Sequence, residues 1–383
     1  MNTMRFTIDG SHDLEAGLSQ LCSQVLEGIQ SIIPPKKLEA VVLGGGYGRG
    51  EGGVLRTAGG DQPYNDFEFY IFLRGNRLLN SRRYEPELVT LAGTLSTRAS
   101  LHVEFKIDSL SRWRRSGVTM FSYDLVSAHR IIFGNATLFG SCRRHLDASR
   151  IPTAEATRLL FNRCTGLLLA REILERTTMT AEEADFIGRN LAKAKLALGD
   201  AVLTHFQRYH WSCLERQKRL EIFDSEETVP GLEQIKKYHS EGVAFKLHPF
   251  RVLKSAEAFS IEHLQIGSVA QQLWLWLESR RLNRGFASMN DYVFHSGAKC
   301  SLPNPGRNLL LNLRTFGFSC LLDPIAWRYP RERLFNSLPL LLWNGEVSTR
   351  PELTRHLQRQ LRTEASDWVG LVSAYKEVWP SYG

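Results

Sequence analysis

A chain of 383 residues, 43% hydrophobic and 23% charged, is too long for one small core and has an ordinary globular composition, which excludes a disordered or fibrous protein. The net charge of +8, from 48 basic and 40 acidic residues, favours a phosphate-rich ligand. The densest basic clusters, Arg112/Arg114/Arg115 and Arg328/Arg331/Arg333, are short, so no tight nucleic-acid binding is expected. No apolar run reaches the roughly 20 residues of a membrane span, and MNTMRFTIDGSHD has neither the basic start nor the apolar stretch of a secretory signal. Cys22, Cys142, Cys164, Cys213, Cys300 and Cys320 form no CxxC pair. These features together predict a cytoplasmic chain with buried thiols and no membrane partner.

Residues 12–33 carry Leu14, Leu18, Leu21, Val25, Ile29 and Ile32 at three- and four-residue steps, the spacing of an amphipathic helix, which Pro34 and Pro35 end. LEAVVLGGG follows as a buried strand running into a glycine turn. In NDFEFYIFLRG the residues alternate, so that Asp66, Glu68 and Tyr70 share one strand face and Phe67, Phe69 and Ile71 the other. The spacing predicts a half-buried strand there, a helix over 85–98, and a third strand in LHVEFKID. From about residue 151 the pattern becomes helical. Thr180 and Glu183 form a capping box for a helix through 181–206, whose inward stripe is Ile187, Leu191, Ala194 and Leu198. Segments 230–254 and 296–308 read as loop-rich. The expected fold class is α+β, with an N-terminal helix at 1–35 packed on a core domain at 36–150, and an α-helical domain at 151–383.

The residues with chemical promise fall in the core domain. A glycine turn after a buried strand, here GGGYGRGEGG, lets backbone N–H groups approach a polyphosphate; it is not a P-loop, because no GK[ST] follows. On the next strand Asp66 and Glu68 project from one face about 6–7 Å apart, close enough to share divalent cations. Glu104 stands mid-strand between Val103 and Phe105, where an unmatched charge is costly if buried, and is preferred to Asp108 at the strand end. His102 reads as structural, and Trp274 and Trp276 as core rather than as a base-stacking platform.

Taken together, LGGGYGRGE, NDFEFYIF and HVEFKI resemble the DNA polymerase-β-like nucleotidyltransferase superfamily, over about residues 36–150. The Gly45-Gly46 pair occupies the Gly-[Gly/Ser] place, Arg49 and Glu51 match an RGE of bacterial members, and weaker likeness extends to Lys193, Lys195 and Asp200. Two departures are Gly46 in place of a frequent serine and an inserted loop at GGVLRTAGGDQPY.

The resemblance implies transfer of a nucleoside monophosphate from a nucleoside triphosphate, ATP or another, to an acceptor hydroxyl of a small molecule or glycan. Two Mg²⁺ ions would be held by Asp66, Glu68 and Glu104, and the phosphates by Gly45, Gly46 and Arg49. On the helix at 181–206, Lys193 and Lys195 emerge on the flanks of the apolar stripe, where one could supply a cation to the triphosphate from the helical domain. The competing readings are transfer to a protein or RNA, as in toxin-like or tRNA-modifying relatives, and a catalytically silent nucleotide-binding module.

Overall fold

A computed structural model describes residues 5–64, 66–251, 254–300, 304–345, 347 and 349–383. The chain is α+β, with a small mixed sheet and many helices. Helix α1 (His12–Ile32) starts where Ser11 accepts the Leu14 N–H, and its expected stripe of Leu14, Leu18, Leu21, Val25 and Ile29 is buried. After the prolines comes β1 (Leu38–Leu43), which leads into a single helical turn, α2 (Gly45–Gly48). The inserted loop forms a hairpin of its own, β2 (Val54–Thr57) with β3 (Gly60–Pro63). Next come β4 (Phe67–Leu73), α3 (Arg77–Ala99) and β5 (Val103–Asp108). Then α4 (Leu110–Trp113), α5 (Met120–Ser127) and β6 (Arg130–Phe133) complete the sheet and its cover.

The sheet order is β5-β4-β1-β6, with β1 antiparallel to β4 and β6, and β4 parallel to β5. Helix α3 is the crossover that a parallel pair requires. It begins at Arg77, eight residues before the expected start, because Asn76 caps it by accepting from Leu78 and Leu79 and because Asn80 and Tyr84 find buried places. The edge strand β6 escapes sequence reading, since four residues are too few to show a period.

Both sheet faces are covered. Phe67, Phe69, Ile71 and Leu73 meet α1 and α3 in one core, while Tyr70 and Phe72 meet Leu110, Trp113, Leu125 and Phe139 in another. The half-buried strand expected at β4 is therefore wrong from Tyr70 onward, while Phe67, Phe69 and Ile71 are buried as expected. Only its first turns, at Asp66 and Glu68, keep an open face, because the helices on that side cover the far end of the strand.

Two compact units divide the chain. The first comprises Met1–Glu155, Val202–Asp224 and His239–Arg251, and the second Ala156–Ala201, Ser225–Tyr238 and Val252–Gly383. Residues 202–224 and 239–251, which the sequence reading placed with the helical region, thus cluster with the sheet. The second unit includes most of α6 (Ala154–Leu174) and of α7 (Ala181–His205), the latter opening on the expected Thr180–Glu183 box and burying Ile187, Leu191, Ala194 and Leu198. Helix α8 (Cys213–Glu221) lies in the first unit, whereas α9 (Leu232–Leu247) corrects the loop-rich reading of 230–254. In 296–308 a helix starts at Pro305, and residues 301–303 lie outside the described residues. The second unit also holds α10 (Ala256–Arg281), and further helices follow it to Tyr382. Among the described residues no helix is long and apolar enough to cross a membrane, and all six cysteines are free.

Candidate functional site

The glycine turn folds as one helical turn because two different demands are met along it. Gly48 has no room for a side chain, since a Cβ there would lie 2.2 Å from the Leu43 carbonyl oxygen. Gly45 has φ +63, a left-handed conformation that L side chains disfavour, and faces the Glu68 carboxylate, whose Cδ would be 3.6 Å from an added Cβ. Tyr47 between them is fully buried, its hydroxyl donating to the Gly53 carbonyl at 2.9 Å and accepting from the Tyr64 N–H at 2.9 Å. The turn is pinned to β4 by the Gly44 N–H, which donates to the Glu68 carbonyl at 2.9 Å. As the first residues of a helical turn, Gly45 and Gly46 have N–H groups with no acceptor inside it.

Across from this turn the parallel register pairs Glu68 with Glu104 and Tyr70 with Lys106. Adjacent strands stand about 4.8 Å apart with matched residues on the same face, so two carboxylates and a lysine share one exposed patch. The Tyr70 hydroxyl donates to Glu68 Oε2 at 2.9 Å, and Lys106 Nζ lies 2.9 Å from Glu104 Oε2 and 5.7 Å from the Tyr70 ring centroid. Burial, then the charge and hydrogen bond of Glu68, then the charge of Glu104 push the Tyr70 phenol far up, which keeps it a donor at any working pH. Asp66 is exposed one strand period before Glu68; Asn65 lies outside the described residues.

Among the described residues no three His, Cys, Asp or Glu side chains are grouped so as to hold a metal ion. What the register brings together is the pair Glu68 and Glu104. Asp108, on the same strand, is committed elsewhere. Its oxygens accept from the Ser109 N–H at 2.8 Å, Arg112 at 2.6 Å and Trp113 Nε1 at 2.9 Å.

Beneath the turn lies a second set of charges. Arg49 Nη1 donates to Asp124 Oδ2 at 2.7 Å; Tyr209 donates to the same oxygen at 3.2 Å, and Arg216 lies over the Tyr209 ring at 4.9 Å. Burial works against the Arg49 charge, but Asp124 and Tyr209 hold its pKa above the ordinary value, while its Nε meets no acceptor among the described residues. Glu51 is buried and accepts from Ser212 Oγ at 2.5 Å, the Cys213 N–H at 3.0 Å and Lys246 at 3.5 Å. Desolvation alone would raise its pKa, yet Lys246 and these donors draw it down to about 2. Ser212 caps α8, so the carboxylate sits at a helix N-terminus, where negative charge is favoured.

Of the expected ligand residues, Gly45, Gly46, Arg49, Asp66, Glu68 and Glu104 belong to the first unit, and Lys193 and Lys195 to the second. Lys195 Nζ is 2.7 Å from Glu262 and 5.4 Å from the Tyr238 ring centroid, a pairing wholly inside that unit. Lys193 is exposed, and Trp274 is core, as expected, whereas Trp276, also expected in the core, is only half-buried, with Arg280 over its ring at 3.9 Å. Sequence reasoning missed Asp124, Tyr209, Ser212 and Lys246, whose partners lie 75 to 195 residues away and leave no local signal. Comparison of the chain with protein-family models, curated proteins and solved structures finds no significant match.

Proposed function

We propose that the chain is a magnesium-dependent nucleotidyltransferase with a polymerase-β-like core, moving a nucleoside monophosphate from a triphosphate to a hydroxyl of a small molecule or glycan. The observation that carries this reading is the β4–β5 register, which sets Glu68 beside Glu104 with the Gly45 turn against the Glu68 carboxylate. The resemblance of LGGGYGRGE, NDFEFYIF and HVEFKI to that superfamily supports it. The donor set also fits Mg²⁺, which takes carboxylate oxygens and keeps several waters, so few protein ligands are needed. Asp66, Glu68 and Glu104 would hold two ions, which when bound neutralise charge on the attacking and leaving oxygens.

The chain's own groups do the rest. Gly45 and Gly46 donate their N–H groups to phosphate oxygens, where two residues without side chains at the start of the turn admit close approach. Glu104, half-buried and paired with Lys106, takes the proton of the acceptor hydroxyl. Tyr70 fixes the orientation of Glu68 through its hydroxyl. Attack on the α-phosphorus is in line, with pyrophosphate leaving.

The test is titration calorimetry of the full chain with each of the four common nucleoside triphosphates, with Mg²⁺ and with EDTA, alongside Glu68→Gln. Mg²⁺-dependent binding that Glu68→Gln removes is the expected result. Affinity equal in EDTA, or unchanged in the variant, would overturn the reading.

A further inference from the structure

Phe121 is the second residue of α5 and leaves 43% of its surface in solvent, yet its ring is firmly held. Its centroid is 5.2 Å from that of Tyr70 and 5.7 Å from that of Trp113, both buried rings. The start of α5 is fixed as well. Thr119 and Ser122 form a reciprocal capping box, and the Met120 N–H donates to Glu155 at 3.0 Å. One turn further along the same helix face, Leu125 packs under the glycine turn. A Cβ on Gly44 would lie 2.8 Å from Leu125 Cδ1 and 2.6 Å from the Tyr70 ring. Asp124, between them, grips Arg49.

Helix α5 therefore borders the patch along its length, touching the phosphate turn at Leu125 and presenting an open aromatic face at Phe121. The Phe121 ring packs against Tyr70, whose hydroxyl donates to the Glu68 carboxylate, so the two lie on either side of one side chain. An aromatic ring already locked by its neighbours loses little freedom when a flat ligand stacks on it, which makes it an efficient platform.

We infer that Phe121 is the stacking platform for the base of the triphosphate, and that the larger stacking area of a purine favours it there over a pyrimidine. The inference rests on the nucleotidyltransferase reading of the same face, and it adds the substrate's base and the residue that selects it. No hydrogen-bonding group beside Phe121 is needed for this preference, because stacking scales with the area of the base.

Calorimetry of the full chain with Mg²⁺ and, in turn, ATP, CTP or inorganic tripolyphosphate tests it in wild type, Phe121→Leu and Phe121→Trp. Leucine keeps most of the packing against Tyr70 and Trp113 but offers no aromatic face, so folding is preserved. Phe121→Leu should weaken ATP by about tenfold, while Phe121→Trp binds at least as tightly as wild type. Tripolyphosphate, which has no base, should stay within about twofold across all three proteins. Equal losses for ATP and tripolyphosphate, no loss for ATP, or CTP binding as tightly as ATP to wild type would overturn the platform while leaving the parent reading in place. If wild type binds neither ATP nor tripolyphosphate, the nucleotidyltransferase reading fails and the platform with it.

Discussion

Glu51 and the Glu68/Glu104 pair are the same side chain in the same unit, and the fold treats them oppositely. Glu51 is 5% exposed and saturated by a hydroxyl, a backbone N–H and an ammonium. Glu68 and Glu104 stand half-open, each with one side-chain partner, Tyr70 and Lys106. A carboxylate whose oxygens are all matched holds structure together; one left with spare lone pairs toward solvent is available to a ligand. The sequence reading named Glu68 and Glu104 as site acids and matched Glu51 only to an RGE motif, with no means of telling that it would be closed off.

The sharpest way to break this comparison is to remove the carboxylates in turn. Glu51→Ala strands Lys246 and takes the acceptor from the Ser212 hydroxyl and the Cys213 N–H at the start of α8, and should cost about 3–5 kcal/mol of stability in urea unfolding. Glu68→Gln and Glu104→Gln should stay within about 0.5 kcal/mol of wild type, since a half-exposed acid with one partner contributes little. If the Glu51 variant unfolds no earlier than the other two, the division between structural and open acids is mistaken.

Acid sharpens the same contrast. The Glu51 carboxyl is drawn down to about 2 in the folded chain from its ordinary value of 4.5. Its stabilisation is therefore full above the unfolded value and is lost as pH falls from about 4.5 toward 2, an effect of about 2–4 kcal/mol. Glu51→Gln should flatten that part of the stability–pH curve. An unchanged slope would mean that other carboxylates drive acid unfolding.

For function the order reverses. Glu68→Gln should lower triphosphate turnover by about 100-fold or more, a loss of about 2.7 kcal/mol in the transition state, with melting unchanged. Asp108→Asn should do the opposite, losing about 1–2 kcal/mol of stability because its contacts with Arg112 and Trp113 are weakened, and leaving nucleotide affinity intact. Loss of activity in Asp108→Asn with full activity in Glu104→Gln would exchange the two assignments.

The smallest effect is expected at Lys195. Its ammonium, 13% exposed, already holds Glu262, whose carboxyl is drawn below its usual range by Lys195 and Lys254 in spite of burial. Lys195→Ala should cost the helical unit about 1 kcal/mol by thermal unfolding, and ATP affinity, followed in the same samples, should not move. A weakened affinity would return this lysine to the triphosphate.

The sequence determined by itself whatever depends on short spacing. Three- and four-residue steps placed α1 and the buried stripe of α7, the Thr180–Glu183 pair marked a helix start, and strict alternation set Asp66, Glu68 and Tyr70 on one face of β4. Each is a local rule, because a turn of helix or two residues of strand fix where a side chain points. Only the tertiary structure decided which of those faces stayed open. It covered Tyr70 and Phe72 with α4 and α5, laid Glu104 beside Glu68 through a parallel pairing, and closed Glu51 beneath the glycine turn with Ser212 and Lys246. It also spent Lys195 on Glu262 and brought Phe121 to the rim of the patch. These outcomes rest on contacts between residues tens to nearly two hundred positions apart, and no periodicity in the chain encodes a contact at that range.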